Sequence, residues 1–436
     1  MEFLIGVLVL VVGLLVSIAL HELGHMIPAK RFGVLVSEYF VGFGPRLWSR
    51  RKGETEYGFK AIPLGGYVKL VGMVPPASAV KPLRLGGWAG RLIDDTRAQA
   101  EEEIPAGQDH RAFYHLTWWR KAIVMMGGPV VNLVIAVVLF TSVLSFVGVP
   151  TQTLAVAQVV QCVPAAGATE CATGDPVAPA AAAGIEAGDV FVSADGVALG
   201  SWTDLTSYVA DRPGQQIALV VDRSGEDVSL TVTPATRTVY EYDDSGAVVT
   251  DAAGDPVTQQ VGYLGVYSLT ESQRQPLWAG ASLTWDYLGQ TAGVIVHLPQ
   301  QVYHVARAAL GLEERTTDSV MGVVGVGRIS GEIASANIDG YTLGERITDM
   351  MMLLAGLNLA LFAFNMIPLV PLDGGHVVSA LWQGIKNGWA RLRGLAAPRP
   401  VDVARMMPLA YGVFALLLVM GAVLVYADIV APVTIA

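Results

Sequence analysis

Four runs of mainly apolar residues without a charge punctuate the chain: Phe3–Leu20, Ala122–Phe146, Met350–Ile367 and Met406–Tyr426. A helix rises 1.5 Å per residue, so roughly 18–20 apolar residues cross a ~30 Å hydrocarbon layer. The pattern predicts a polytopic α-helical membrane protein with four spans, at residues 1–27, 122–148, 350–376 and 406–427. Between them lie loops at 28–121 and 377–405, an inserted region at 149–270, and a juxtamembrane stretch at 271–349. The first run starts Met1-Glu2-Phe3 without basic residues and ends in His21-Glu22-Leu23-Gly24-His25. A cleaved signal peptide has a basic start, a shorter apolar core and a small-residue end, so a retained span is expected.

Elsewhere the period changes. Tyr57–Leu70 (YGFKAIPLGGYVKL) alternates apolar and polar residues around Gly65-Gly66 and reads as a short hairpin. Residues 72–110 read as a loop carrying a short solvated helix near Asp94–Glu103. Ala112–Lys121 sets aromatics beside cations, the composition of an interfacial anchor. The inserted region reads as a small, mostly β module with its core at about 176–235. Its strands are expected at Asp189–Ser193, Gln216–Val221 and Val228–Thr233, with a helix at Thr203–Ala210 and a further strand at Gly262–Tyr267. Residues 277–310 fit either a surface segment or an extra membrane hairpin.

Charge orients this plan. Only 15% of residues are charged, against 53% hydrophobic, well below the quarter usual in soluble proteins. Residues 28–121 hold 15 of the 28 Lys and Arg, and 386–405 hold five more; 149–349 has eight against 24 Asp and Glu. Basic loops stay cytoplasmic, so the inserted region is expected outside a plasma (inner) membrane. The net charge of −10 comes from that region and offers nothing for nucleic acid. Cys162 and Cys171 both fall there, where a disulfide is permitted.

The chemistry gathers at the end of the first span. His21 and His25 are four residues apart and share a helix face, a spacing that lets both imidazoles reach one metal ion. Glu22, about 100° round, can take a proton from water beside it. Ionisable groups in a span cost roughly 2.5–3.5 kcal/mol each on insertion scales, which argues for use rather than ornament. The alternative is a span ending at Leu20, with His21 and Glu22 among headgroups. Catalytic zinc commonly takes two His and a carboxylate. Asp373 follows the third span in a segment broken by Pro368, Pro371, Gly374 and Gly375, at the same membrane face as His25. It is the preferred third ligand, with His376 its rival.

The ordered motifs resemble a known family. His21-Glu22-x-x-His25, Gly128-Pro129-x-x-Asn132, Gly184-x-x-x-Gly188-Asp189 with Asp195-Gly196, and Asn365-x-x-Pro368-x-x-Pro371-Leu372-Asp373-Gly374 together resemble the site-2-type intramembrane metalloproteases (bacterial regulator-of-sigma-E type, peptidase family M50). Members of this kind carry an extracytoplasmic PDZ domain. The resemblance implies Zn²⁺ on His21, His25 and Asp373, with Glu22 as general base near the cytoplasmic side. It implies that Asn365 holds substrate or oxyanion, and that the hairpin re-enters the membrane and pairs edge-on with unwound substrate through Gly65, Gly66 and Tyr67. Asn132 is expected in the same cleft; the plain alternatives are a polar contact between helices for Asn132 and a helix cap for Asn365. Substrates implied are single-pass membrane proteins such as anti-sigma factors, cut within the lipid bilayer. A non-catalytic PDZ scaffold is the alternative reading, and it predicts loss of a core residue; a metal transporter predicts polar residues deep in several spans. One departure is Met321–Ile329, which stands where relatives carry a Gly-Pro turn.

Overall fold

The computed structural model describes residues 1–80, 86–163, 176–240, 249, 256–313, 315, 319–337 and 341–433. Two compact units emerge, Met1–Phe146 with Pro276–Ala436, and Val147–Gln275. Cys171 falls outside the described residues, so the expected Cys162 pairing does as well.

In the first unit, helix α1 (Glu2–Arg31) is followed by strands β1 (Val36–Lys52) and β2 (Thr55–Leu70), then helices α2 (Gly87–Glu102) and α3 (Trp118–Ser142, extended by a wider turn to Val147). Among the described residues, four helices are long and apolar enough to cross a membrane: Glu2–Arg31, Trp118–Val147, Leu343–Asn365 and Val403–Val430. These are the four expected from hydropathy. Their outward faces stay apolar, with Leu4, Leu8, Val134, Leu416 and Leu418 all more than half exposed, as a lipid-facing surface requires.

Helices α1 and α3 touch backbone to backbone. A Cβ on Gly24 would stand 2.4 Å from the Gly127 carbonyl oxygen, and one on Gly127 would stand 2.0 Å from that of Gly24. Small residues permit such close crossings in membranes, where dispersion rather than hydrophobicity drives association. This crossing brings α3 against the two histidines.

The hairpin differs from expectation. Its turn is at Gly53, and the two halves of Tyr57–Leu70 do not pair with each other. Val36–Val41 lies between them, paired with Gly66–Leu70 (Val36↔Leu70, Val41↔Gly66) and with Glu56–Phe59 (Glu38↔Glu56, Val41↔Phe59). Lys52↔Thr55 through Arg46↔Lys60 completes the outer ladder. Gly66–Leu70 therefore has one paired side and one open edge.

The second unit holds β3 (Val149–Val159), α4 (Pro179–Ala182), β4 (Val190–Ala194), β5 (Val197–Ala198), α5 (Trp202–Ala210), β6 (Ile217–Arg223), β7 (Glu226–Val232), β8 (Ala235–Tyr240), β9 (Thr258–Tyr263) and β10 (Val266–Gln273). Sheet order is β10-β3-β4-β6-β7, with β5 on β4. The strands expected within 176–235 appear within a few residues, but β3 and β10 extend the sheet beyond that core. The segment expected as one strand at Gly262–Tyr267 splits at Gly265 between β9 and β10. Phe191, Leu205, Ile217, Leu219 and Val221 form its buried centre.

Returning to the first unit, α6 (Ala279–Ala309) places residues 277–310 in a single helix, and α7 (Val323–Ser335) occupies the Met321–Ile329 segment. Helix α8 (Leu343–Asn365) carries a capping box at Thr342 and Glu345. The third span was expected to run to residue 376; it stops at Asn365, and a separate helix α9 (Asp373–Leu392) starts at Asp373, inside what was expected to be the final part of the span and a loop. Pro368, Pro371 and the close packing of Gly374 and Gly375 on residues 366–370 explain the break. Helix α10 (Met407–Val430) closes the unit.

Candidate metal centre

The centre is assembled from three elements: α1 supplies His21 and His25, α9 supplies Asp373 from its first residue, and α3 forms the wall behind them. His21 Nε2 and His25 Nε2 lie 3.3 Å apart, and Asp373 Oδ2 lies 3.4 Å from each. No other His, Cys, Asp and Glu cluster among the described residues offers three converging ligand atoms. His376, the rival ligand, lines the same cavity but stands outside the triangle.

The triangle fits zinc on two grounds. For tetrahedral Zn²⁺ with bonds of about 2.05 Å, ligand atoms sit about 3.3–3.4 Å apart, the edge length found here. The hydrogen bonds agree. His25 Nδ1 donates to the Val124 carbonyl at 2.8 Å, so in the neutral ring Nε2 is an acceptor. It faces another imidazole nitrogen and a carboxylate oxygen, and converging lone pairs of this kind call for a cation.

Asn132 lies behind His21, 1% exposed, with its amide 3.2 Å from His21 Nδ1. A His21 that offers Nε2 to a metal carries its proton on Nδ1, and that proton needs an acceptor. Rotating the Asn132 amide by 180° supplies the oxygen, which otherwise has no partner. Asn132 was expected in the cleft with substrate; it is not among the residues lining the cavity, and its amide lies against His21. Gly128 was named from sequence only as part of the Gly128-Pro129-x-x-Asn132 motif, without a role of its own. A Cβ there would stand 2.2 Å from His25 Nε2 and 2.7 Å from His21 Nε2, so only glycine leaves the space in front of both nitrogens open. The Gly127-Gly128-Pro129 run on α3 was the available signal.

The cavity beside the triangle measures about 310 Å³. Glu22, Asn365, Gly66 and Tyr67 line it with the three converging groups, and Gly65 flanks Gly66 on the same strand. Gly66 packs tightly on α1, with a Cβ there only 3.2 Å from Glu22 Cγ. The open edge of Gly66–Leu70 is thus set beside Glu22. Asn365 ends α8, and its side chain makes no hydrogen bond among the described residues.

The chain is similar to known proteins along most of its length. The profile of peptidase family M50 matches residues 9–408. The chain is 32% identical to zinc metalloprotease Rip1 of Mycobacterium tuberculosis over 99% of both chains. It is 28% identical to metalloprotease MmpA of Caulobacter vibrioides over 88% of both, and 24% identical to zinc metalloprotease RasP of Oceanobacillus iheyensis over 85% of this chain and 88% of that one. A zinc-shaped triangle at the end of an apolar helix and a family match across nearly the whole length lead to one assignment: the chain belongs to peptidase family M50.

Proposed function

We propose that this zinc metalloprotease cleaves transmembrane segments of single-pass membrane proteins, anti-sigma-factor-like substrates among them, as the intramembrane step of regulated proteolysis. The observation that carries the reading is the His21–His25–Asp373 triangle set within the membrane unit beside an open strand edge. Zinc bound there supplies Lewis acidity, polarising a carbonyl and lowering the pKa of water toward ~7.

The remaining work falls to the chain. Glu22 takes the proton of the attacking water and hands it to the leaving amine. A helical substrate conceals its carbonyls in its own hydrogen bonds, so an extended stretch is captured first, by strand addition at Gly65, Gly66 and Tyr67. Asn365, with a free amide at the cavity wall, is placed to hold the substrate carbonyl as charge develops on it. Asn132 orients His21.

The basic loops place the metal centre toward the cytoplasm, and the Val147–Gln275 unit, read as a PDZ-like domain, outside it. That unit serves as a substrate filter or peptide-binding module. The decisive experiment pairs zinc analysis with cleavage of a model single-pass substrate. Glu22→Gln is expected to keep its zinc and lose cleavage by several orders of magnitude; turnover near wild type removes Glu22 from the mechanism.

A further inference from the structure

Away from the metal centre, a larger hollow of about 730 Å³ opens between α9 and residues 395–405. Trp382, Ile385 and Trp389 of α9 form its apolar floor, joined by Leu395. Lys386, Arg399 and Arg405 line its polar side. Among the described lining residues the one carboxylate is Asp402, and it is already committed: it is 7% exposed and paired with both Arg97 of α2 and Arg405. The lining is therefore net positive. The Arg97–Asp402 pair pins this wall to α2, where Arg97 also bonds Asp94 of its own helix. Arg399 donates one amino group to the Val80 carbonyl at 2.7 Å, leaving further guanidinium N–H groups for a ligand.

The floor belongs to a longer stripe. Val378, Leu381, Trp382, Ile385 and Trp389 recur at helical spacing and are 45–62% exposed, while Val377, Ala380 and Gln383 on the opposite face are buried. Such a continuous apolar strip needs a non-aqueous cover. Its depth follows from its neighbours. Val377 packs in one cluster with Met125 of α3, and Gly384 lies against the Trp118 ring, to which a Cβ would approach within 2.7 Å. Trp118 opens α3, only four residues before the apolar run begins at Ala122. The middle of α9 thus stands where hydrocarbon gives way to headgroups, the level at which Trp and basic residues collect. Arg393, stacked on Trp389 at 4.4 Å, belongs to the same belt.

We propose that this hollow binds an anionic phospholipid of the surrounding leaflet. The glycerol and upper acyl chain lie on Trp382, Ile385 and Trp389, and the phosphate takes the remaining N–H groups of Arg399, with the Lys386 ammonium, which also donates to the Arg399 carbonyl at 3.4 Å, adding its charge beside them. A free phosphate uses only the cations and leaves the aromatic floor uncovered; a zwitterionic lipid covers the floor but returns a positive charge to the basic side. Because α9 begins at Asp373, an occupant here braces the helix that delivers the third metal-binding group.

The test reads binding, not cleavage, so it stands apart from the proposed protease mechanism. Full-length protein is released from nanodiscs of mixed phosphatidylglycerol and phosphatidylcholine, and its retained lipid is counted by native mass spectrometry. Phosphatidylglycerol is expected to be retained in preference. Each cation at a membrane surface strengthens binding about fivefold, so Lys386→Gln with Arg399→Gln lowers the preference about 25-fold, while Arg391→Gln, outside the hollow, leaves it unchanged. A second readout does not depend on those variants folding. Phosphatidylglycerol brominated near the glycerol quenches wild-type tryptophan fluorescence, and Trp382→Phe with Trp389→Phe removes a distinct part of that quenching. Equal retention of the two lipids, quenching unaltered by the tryptophan changes, or displacement of the lipid by millimolar inorganic phosphate overturns the proposal.

Discussion

Gly128→Ala isolates the space in front of the metal-binding nitrogens. The new methyl would lie 2.2 Å from His25 Nε2 and 2.7 Å from His21 Nε2. Ordinary non-bonded contact needs about 3.5 Å, so His25 Nε2 has to retreat by about 1.3 Å. Neither ring is free to do so. His25 is tied to the Val124 carbonyl and His21 to Asn132, and the Gly24–Gly127 crossing fixes the distance between the two helices. Metal sites tolerate about 0.2 Å in ligand position, several times less than the displacement forced here. Zinc affinity is expected to fall more than about 100-fold, or more than about 2.7 kcal/mol. Competition against a chromophoric chelator, with metal counted by mass spectrometry, measures this on purified protein. Alanine favours helix over glycine by about 1 kcal/mol, which offsets part of the roughly 1–3 kcal/mol that overpacking costs, so the metal-free variant should melt at or modestly below wild type, a far smaller change than the loss of zinc. Gly421→Ala, with open space around its Cβ, is the control. Wild-type zinc affinity in Gly128→Ala would falsify the inferred metal position.

Three further predictions follow from the same geometry. Asn132→Ala removes the partner of His21 Nδ1 and should weaken zinc about 10–100-fold, whereas Asn132→Asp keeps an acceptor and should lose less; chelator competition on both variants decides, and equal losses refute the orienting role. In the Val147–Gln275 unit, Arg223 bonds Asp189 twice at 2.7 Å, and Asp189 is only 1% exposed; Arg223→Ala should destabilise the unit, because the Asp189 carboxylate then keeps only the Glu186 N–H as partner. That guanidinium also holds the Asp189 carboxyl below its ordinary range, so its stabilisation is complete above about pH 3.9 and fades as pH falls through the depressed folded value. Hydrogen exchange of β4 and β6 in the full chain should show wild type losing protection in that acid window and Arg223→Ala losing less; identical acid profiles reject the pair as a source of stability.

The parts of this protein written as contiguous pattern were readable without coordinates. Apolar runs of 18 or more residues gave the spans, because lipid leaves a chain no cheaper way to satisfy its backbone. His21, Glu22 and His25 sit within one helical turn, so their shared face follows from helix geometry. The Asp373 segment was legible because two prolines and two glycines announce a break. What failed depended on partners distant in sequence. The Tyr57–Leu70 alternation marks strand residues correctly, yet alternation names no partner, and here Val36–Val41 inserts between the two halves. Its own pattern is interrupted by Gly42, Gly44 and Pro45, and nothing local reveals that it will be central.

Asn132 shows the same limit at the level of a single side chain. Its residue type and its place in a span mark it as costly and therefore used, but an amide one position round the helix would face substrate as readily as a ligand. The distinction is made by the Gly24–Gly127 contact, which sets α3 so close to α1 that Val124, Gly128 and Asn132 all meet the histidines: one carbonyl, one absent side chain and one amide. These three lie four residues apart in succession, a single stripe along α3 answering the stripe of His21 and His25 on α1. A metal-binding helix in a membrane thus draws its outer support from one neighbouring helix at the same period, and Asp373 need only arrive from the third direction. Bulkier side chains at Gly127 and Gly128 push α3 away from α1 and take that support from His21 and His25 at once, while the two imidazoles stay together on α1.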